Sequence, residues 1–199
     1  MDLESAIQEA REQKIAIGHF NISDSAALTG IVRAAMKLAH ETERKPPLLI
    51  GVSEGEREFI GLAQAVALIR SVRTELGYPI FLNADHTHSL ENAEKAASAG
   101  FDAVLFDGSK LPLEENVAQT RAVVRRLKEL RPDIIVEGEL GYIGSSSALL
   151  KEIPAGAAVT EELLTKPEEA RRFVEETGVD LFAPAVGNLH GMLANAPNP

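Results

Sequence analysis

Residues 80–107, IFLNADHTHSLENAEKAASAGFDAVLFD, hold one complete strand–helix–strand unit, and the order of its parts decides the fold. Ile80–Ala84 is an apolar run of the length of a buried strand. Leu90–Ala99 carries a helical pattern, and Gly100 stands where a left-handed C-cap closes such a helix. Ala103–Asp107 then repeats the apolar run. The alternation extends in both directions. Further strands are expected at Ile15–Asn21, Leu48–Val52, Ile134–Glu137 and Leu181–Val186, with helical patterns at Ser25–His40, Glu56–Leu76, Leu113–Leu130 and Lys166–Thr177. Six βα units result. Gly77 and Gly178 share the cap position of Gly100, and Pro132 stops the helix ending near Leu130.

The polar residues of chemical interest follow strands: His19 and Asn21, Ser53, Asp85 and His86, Asp107 and Ser109, Glu137 and Glu139, Asn188 and His190. In a parallel α/β protein those strand ends share one face. An open doubly wound sheet gathers such groups at a single crevice, whereas a closed TIM (β/α)8-type barrel distributes them around its mouth. Six polar strand ends favour the barrel. Such barrels typically need about 250 residues, so residues 1–199 are expected to be one barrel domain lacking its last two βα units.

Composition narrows the chemistry. The 199 residues include no cysteine, so any metal must be held by His and carboxylates. A formal net charge of −10, with no cluster of Lys and Arg interleaved with aromatics, argues against nucleic acid as a partner. The N-terminus reads as a charged amphipathic helix rather than a signal, and no apolar stretch has the length of a bilayer span. A cytoplasmic protein without a membrane partner is expected.

Asp85 and His86 end a strand with a proton carrier beside a metal-ligating imidazole. The alternative is an ordinary turn in which Asp85 or Ser89 caps the next helix. His190 follows the sixth strand and is a second candidate ligand; a third would come from His88, His19, Glu139, Asp107 or elsewhere. His40, inside a helical run, reads as an ordinary imidazole. Glu137 and Glu139 share a face by strand alternation and suit a metal ligand or an orienting carboxylate. Gly187 and Gly191 beside His190 permit backbone amides to approach a phosphate or a monovalent ion. The aperiodic segment from Gly141 to Val159 reads as a mobile active-site loop.

The runs NADHTHS, GFDAVLFDGSKLPLEENVAQT, VEGELGYIG and TGVDLFAPAVGNLHG, in that order, resemble the class II, metal-dependent ketose-bisphosphate aldolases. The resemblance extends from about Gly18 to Pro199 and implies a TIM barrel. It implies that Asp85 exchanges a proton with the C4 hydroxyl, that His86 and His190 ligate a catalytic Zn2+, and that Glu139 and Asp107 lie near the metal. Asn21 and Ser53 match substrate-contacting positions. Gly191 matches a phosphate-binding backbone position beside a monovalent cation. The implied reaction is reversible cleavage of a sugar bisphosphate, fructose 1,6-bisphosphate foremost, to dihydroxyacetone phosphate and glyceraldehyde 3-phosphate, with the metal polarising the ketone oxygen. A homo-oligomer is implied when the protein is full length. In the family a third His ligand and a second phosphate-binding stretch follow later strands, beyond Pro199. Where the family commonly places an acidic base in the mobile loop, this sequence departs from it with Ser146 and Ser147, and Glu152 is a substitute if the loop folds differently. The alternatives are an aldolase-like barrel without activity, serving as a binding or assembly subunit, and a metal-dependent hydrolase using the same His and Asp set.

Overall fold

The structure is a computed structural model, and it describes residues 1–144, 149–157 and 160–194. Ser146 and Ser147 therefore lie outside the described residues. The elements in chain order are α1 (Leu3–Gln13), β1 (Gly18–Asn21), α2 (Ser25–Thr42), β2 (Leu48–Val52), α3 (Glu54–Ile60), α4 (Leu62–Leu76), β3 (Ile80–Thr87), α5 (Leu90–Ala99) and β4 (Ala103–Phe106). They continue with α6 (Leu113–Leu130), β5 (Ile135–Leu140), β6 (Leu149–Leu150), a 3-10 turn at Glu161–Leu163, α7 (Pro167–Thr177), β7 (Leu181–Pro184) and β8 (Met192–Leu193). Six strands form one parallel sheet in the order β1-β2-β3-β4-β5-β7, while β6 and β8 pair separately. This is the strand order of consecutive βα units in a TIM-type fold. Among the described residues no helix is long and apolar enough to cross a membrane.

Internal contacts divide the chain into two compact units, Met1–Phe106 with Arg125–Val136, and Asp107–Val124 with Glu137–Pro199. The first unit has a core of strand and helix residues covered on both faces. Ile50, Val52, Ile80, Leu82, Ala84, Val104 and Phe106 are all buried, so these strands read as continuous apolar runs rather than alternating ones. Ala93, Ala96 and Ala97 give α5 a small buried face, beside Phe101. Each fully buried Leu, Ile or Phe stabilises by roughly 1.5–3 kcal/mol. In the second unit the Phe173 ring of α7 packs against Phe182 at 5.5 Å between centroids, tilted by 36°. Gly138 leaves that ring its space, since an added Cβ would meet Phe173 Cε1 at 2.8 Å.

Gly77, Gly100 and Gly178 close α4, α5 and α7 in left-handed conformations, as their sequence positions imply. Several boundaries differ from the sequence expectation, among them the end of β7, which stops at Pro184 rather than Val186. Lys14 caps α1 at φ 55° and the Ile15 amide donates back to Ala10, so the first strand starts at Gly18 rather than Ile15. Glu56–Leu76 is two helices, because Gly61 takes φ 93° and ends α3. β3 runs on to Thr87 and β5 to Leu140, so Asp85, His86 and Glu139 lie within strands instead of after them. The aperiodic segment also contains a short strand, β6.

Candidate active site

In the first unit, β3 reaches its end through an irregularity. Asn83 and Ala84 pair with Ala103 and Val104, and the next pair is Thr87 with Phe106. Asp85 and His86 together oppose the single residue Leu105, which is a β-bulge. His86 takes φ 44°, a left-handed conformation that costs a non-glycine residue roughly 1–3 kcal/mol. Regular alternation would send Asp85 and His86 to opposite faces, and the bulge removes that constraint.

Asp85 is 5% exposed. The amide of Asn21, at the end of β1, donates to Asp85 Oδ2 at 2.8 Å. Glu56 organises the neighbouring strand ends. Its carboxylate accepts from the Ser53 amide at 2.7 Å, from Ser23 Oγ at 3.1 Å and from Asn21 Nδ2 at 3.4 Å. The Ser53 hydroxyl accepts from the Glu56 amide, completing a capping box on α3. Ser53 thus serves as an N-cap at the head of β2's successor helix.

His19 Nε2 lies 3.3 Å from Asn83 Nδ2, an arrangement that suits a neutral imidazole accepting from the amide. Desolvation holds the His19 imidazole below its ordinary 6.5; Asp85 opposes that shift and His86 adds to it. Gly51 permits this packing, since a Cβ there would meet both His19 Nε2 and Asn21 Oδ1 within 2.6 Å.

Arg57 is a buried cation at 7% exposure, and sequence reasoning missed it. Its Nη1 donates to the carbonyls of Val52 at 2.5 Å and Asp85 at 3.0 Å, and its Nη2 donates to Thr87 Oγ1 at 3.1 Å. Glu54 Oε1 lies 3.9 Å from Nη2. Burial pushes the guanidinium below its usual value, while Glu54 and then Asp85 oppose the shift.

In the second unit, Asp107 and Glu139 are both buried, and each offers a carboxylate oxygen within 4.8 Å of the other's. Asp107 Oδ1 accepts from the Ser109 amide at 3.0 Å and hydroxyl at 2.5 Å, a local turn that fixes the carboxylate. Asn116, fully buried on α6, donates to the Glu139 carbonyl at 2.9 Å and accepts from Thr120 Oγ1 at 3.0 Å. Asn116 was also invisible as a site residue, because a polar residue in a helical run normally faces solvent. His190 is half-buried, and its amide donates to the Ile143 carbonyl at 2.8 Å. It does not join Asp107 and Glu139 within 4.8 Å of both. Gly191 takes φ 117° and is exposed. Glu137 is half-buried one turn of the pleat earlier, and Glu152 is exposed.

The family model for class II fructose-bisphosphate aldolase matches residues 1–199. The chain belongs to this aldolase family. It is 34% identical over 195 residues to a protein of Bacillus subtilis (strain 168) named "Probable fructose-bisphosphate aldolase", covering 96% of this chain and 63% of the relative. It is 30% identical over 200 residues to the "Fructose-bisphosphate aldolase" of Staphylococcus aureus (strain Mu50), covering 99% of this chain and 65% of the relative. The crystal structure of the YdjI aldolase from Escherichia coli K12 superposes with a TM-score of 0.75 at 27% identity, over 95% of this chain and 63% of that one. The chain therefore spans somewhat under two thirds of the length of these relatives.

Proposed function

We propose that this chain carries the acid/base and metal-holding part of a class II aldolase that reversibly cleaves a ketose 1,6-bisphosphate, fructose 1,6-bisphosphate foremost. The observation that carries the reading is the Asp85 carboxylate, buried at a strand bulge beside His86 and hydrogen-bonded by Asn21. In this reading the buried carboxylate, held by one amide, takes the C4 hydroxyl proton in cleavage and returns it in condensation.

The donor set fits a divalent metal. The first unit offers the His86 imidazole, and the second offers the Asp107 and Glu139 carboxylates and the His190 imidazole. Nitrogen and oxygen donors of this kind suit Zn2+. When bound, the metal would supply Lewis-acid polarisation of the substrate ketone. Ser109 fixes the Asp107 carboxylate, and Asn116 fixes the Glu139 backbone through its carbonyl. Asn21 and Ser53 are the substrate-contacting side chains in this reading, and the exposed backbone at Gly191 is the place for a phosphate with a monovalent cation. The chain is read as six of the eight βα units of one barrel domain, working in the cytoplasm as part of a homo-oligomer.

The test is metal content by mass spectrometry together with cleavage of fructose 1,6-bisphosphate, followed through release of dihydroxyacetone phosphate. Activity that falls with chelator and returns with Zn2+ supports the proposal. A folded chain that binds no Zn2+ and cleaves nothing would instead support a non-catalytic binding or assembly subunit.

A further inference from the structure

The first turn of α3 holds the end of β3 from both sides. Arg57 donates to the Asp85 carbonyl and to the Thr87 hydroxyl, which bracket the left-handed His86. The Thr87 hydroxyl in turn donates to the Ala84 carbonyl at 3.1 Å. Glu54 Oε1 accepts from the His88 amide at 3.1 Å and from Asn92 Nδ2 at 2.9 Å, beside the guanidinium. The same guanidinium also donates to the Val52 carbonyl at the end of β2. One buried cation thereby ties a neighbouring strand to the carbonyl of the bulged Asp85 and to the hydroxyl of Thr87, where β3–β4 pairing resumes.

We propose that Arg57 is a positioning residue whose guanidinium locks the β3 bulge in the form that presents Asp85 and His86 together. The bulge is strained at His86, so without a partner for the Asp85 carbonyl the chain gains by relaxing toward regular pairing. Regular pairing returns alternation and turns the two side chains to opposite faces. Lysine cannot replace the fork: a single ammonium lacks the fixed planar spacing that reaches two carbonyls and a hydroxyl at once. The inference rests on the aldolase reading for its functional consequence, but its structural content does not.

The experiment compares the wild-type chain with Arg57→Met, Arg57→Lys and Thr87→Val. Hydrogen exchange at residues 84–88 is measured without metal, and Zn2+ affinity is measured by calorimetry. Both Arg57 variants are expected to exchange at 84–88 at least about tenfold faster than wild type and to bind Zn2+ at least about tenfold more weakly, while retaining a cooperative melt. Thr87→Val, which loses the Nη2 contact, should show the same changes to a smaller degree. It decides the matter alone if the Arg57 variants do not fold. Unchanged exchange at 84–88 in every folded variant overturns the proposal. So does full rescue by lysine, or a lowered melt with Zn2+ affinity intact, since either marks a merely structural cation. A wild-type chain that binds no Zn2+ overturns the aldolase reading alone, and the exchange data still decide whether Arg57 locks the bulge.

Discussion

Asn21 Nδ2 donates to Asp85 Oδ2 across 2.8 Å, so the last residue of β1 fixes the carboxylate at the bulge of β3. A hydrogen bond to a charged group is worth about 1.5–3 kcal/mol, and Asn21 is itself solvent-exposed, which favours the lower end. Asn21→Ala should therefore lower kcat/KM for bisphosphate cleavage about tenfold. Zn2+ affinity should change much less, because Asn21 bonds to Asp85 and Glu56, which are not among the proposed ligands. Steady-state kinetics beside calorimetry separate the two effects.

Asp85→Asn keeps the shape of the side chain and its contact with Asn21 while removing the proton acceptor. The loss of a positioned general base costs about 10²–10⁴-fold, so cleavage should fall by that range with a nearly unchanged melting temperature. If the variant cleaved at the wild-type rate, Asp85 would not be the proton carrier.

The βα alternation was legible because each part leaves a local mark. Apolar runs such as Ile80–Leu82 and Val104–Phe106 are read directly, and glycines such as Gly100 mark helix ends within a residue. The Asp85–His86 pair was legible as a polar interruption of an apolar run. Its geometry was not, because a left-handed φ at a non-glycine residue has no compositional signature. Arg57 was hidden for a different reason. Its partners Asp85 and Thr87 are 28 and 30 residues away, and the expected single helix from Glu56 to Leu76 gave it an ordinary surface position. The break at Gly61 was in principle readable, and so was the Ser53–Glu56 capping box that starts α3. Asn116 was hidden because its burial and its bond to the Glu139 carbonyl, 23 residues away, are tertiary.

Glu139 and Asp107 form the carboxylate pair of the second unit, and Glu139 is only 3% exposed. Glu139→Gln removes one charge without changing volume. Bound Zn2+ stabilises the folded chain as RT ln(1 + [Zn2+]/Kd). A tenfold weaker affinity reduces that stabilisation by about 1.4 kcal/mol at saturating metal. Thermal melts with and without Zn2+ should show a smaller metal-induced rise in Tm for Glu139→Gln than for wild type. An equal rise would remove Glu139 from the ligand set.

His19 gives the fold a pH dependence of defined sign. Its folded value lies below the ordinary 6.5, chiefly through desolvation. Above 6.5 the imidazole is neutral whether folded or unfolded, and the full stability is present. As pH falls from 6.5 through the lower folded value, the unfolded chain takes up the proton more readily and stability is lost. Part of the side chain is open to solvent, which keeps the effect small. His19→Gln should flatten the fall in Tm below pH 6.5, and an unaltered slope would show that His19 does not contribute to it.

Gly141 ends β5 at φ 93°, where an added Cβ would lie 2.5 Å from Ala185 Cβ and 3.0 Å from Thr165 Oγ1. Thr165 is not free to retreat. Its hydroxyl donates to the Leu140 carbonyl at 2.8 Å and accepts from the Ala185 amide at 3.0 Å, which joins β5 to the residue after β7. Gly141→Ala therefore combines a left-handed backbone penalty of about 1–2 kcal/mol with overpacking that typically costs about 1–3 kcal/mol. A loss of roughly 2–5 kcal/mol follows, read as a lowered denaturant midpoint with an unchanged m-value. Gly156→Ala is the matched comparison: φ is 79°, but an added Cβ meets nothing within 4 Å. It should show the backbone penalty alone, so equal losses at the two positions would mean that the contact with Ala185 and Thr165 contributes nothing.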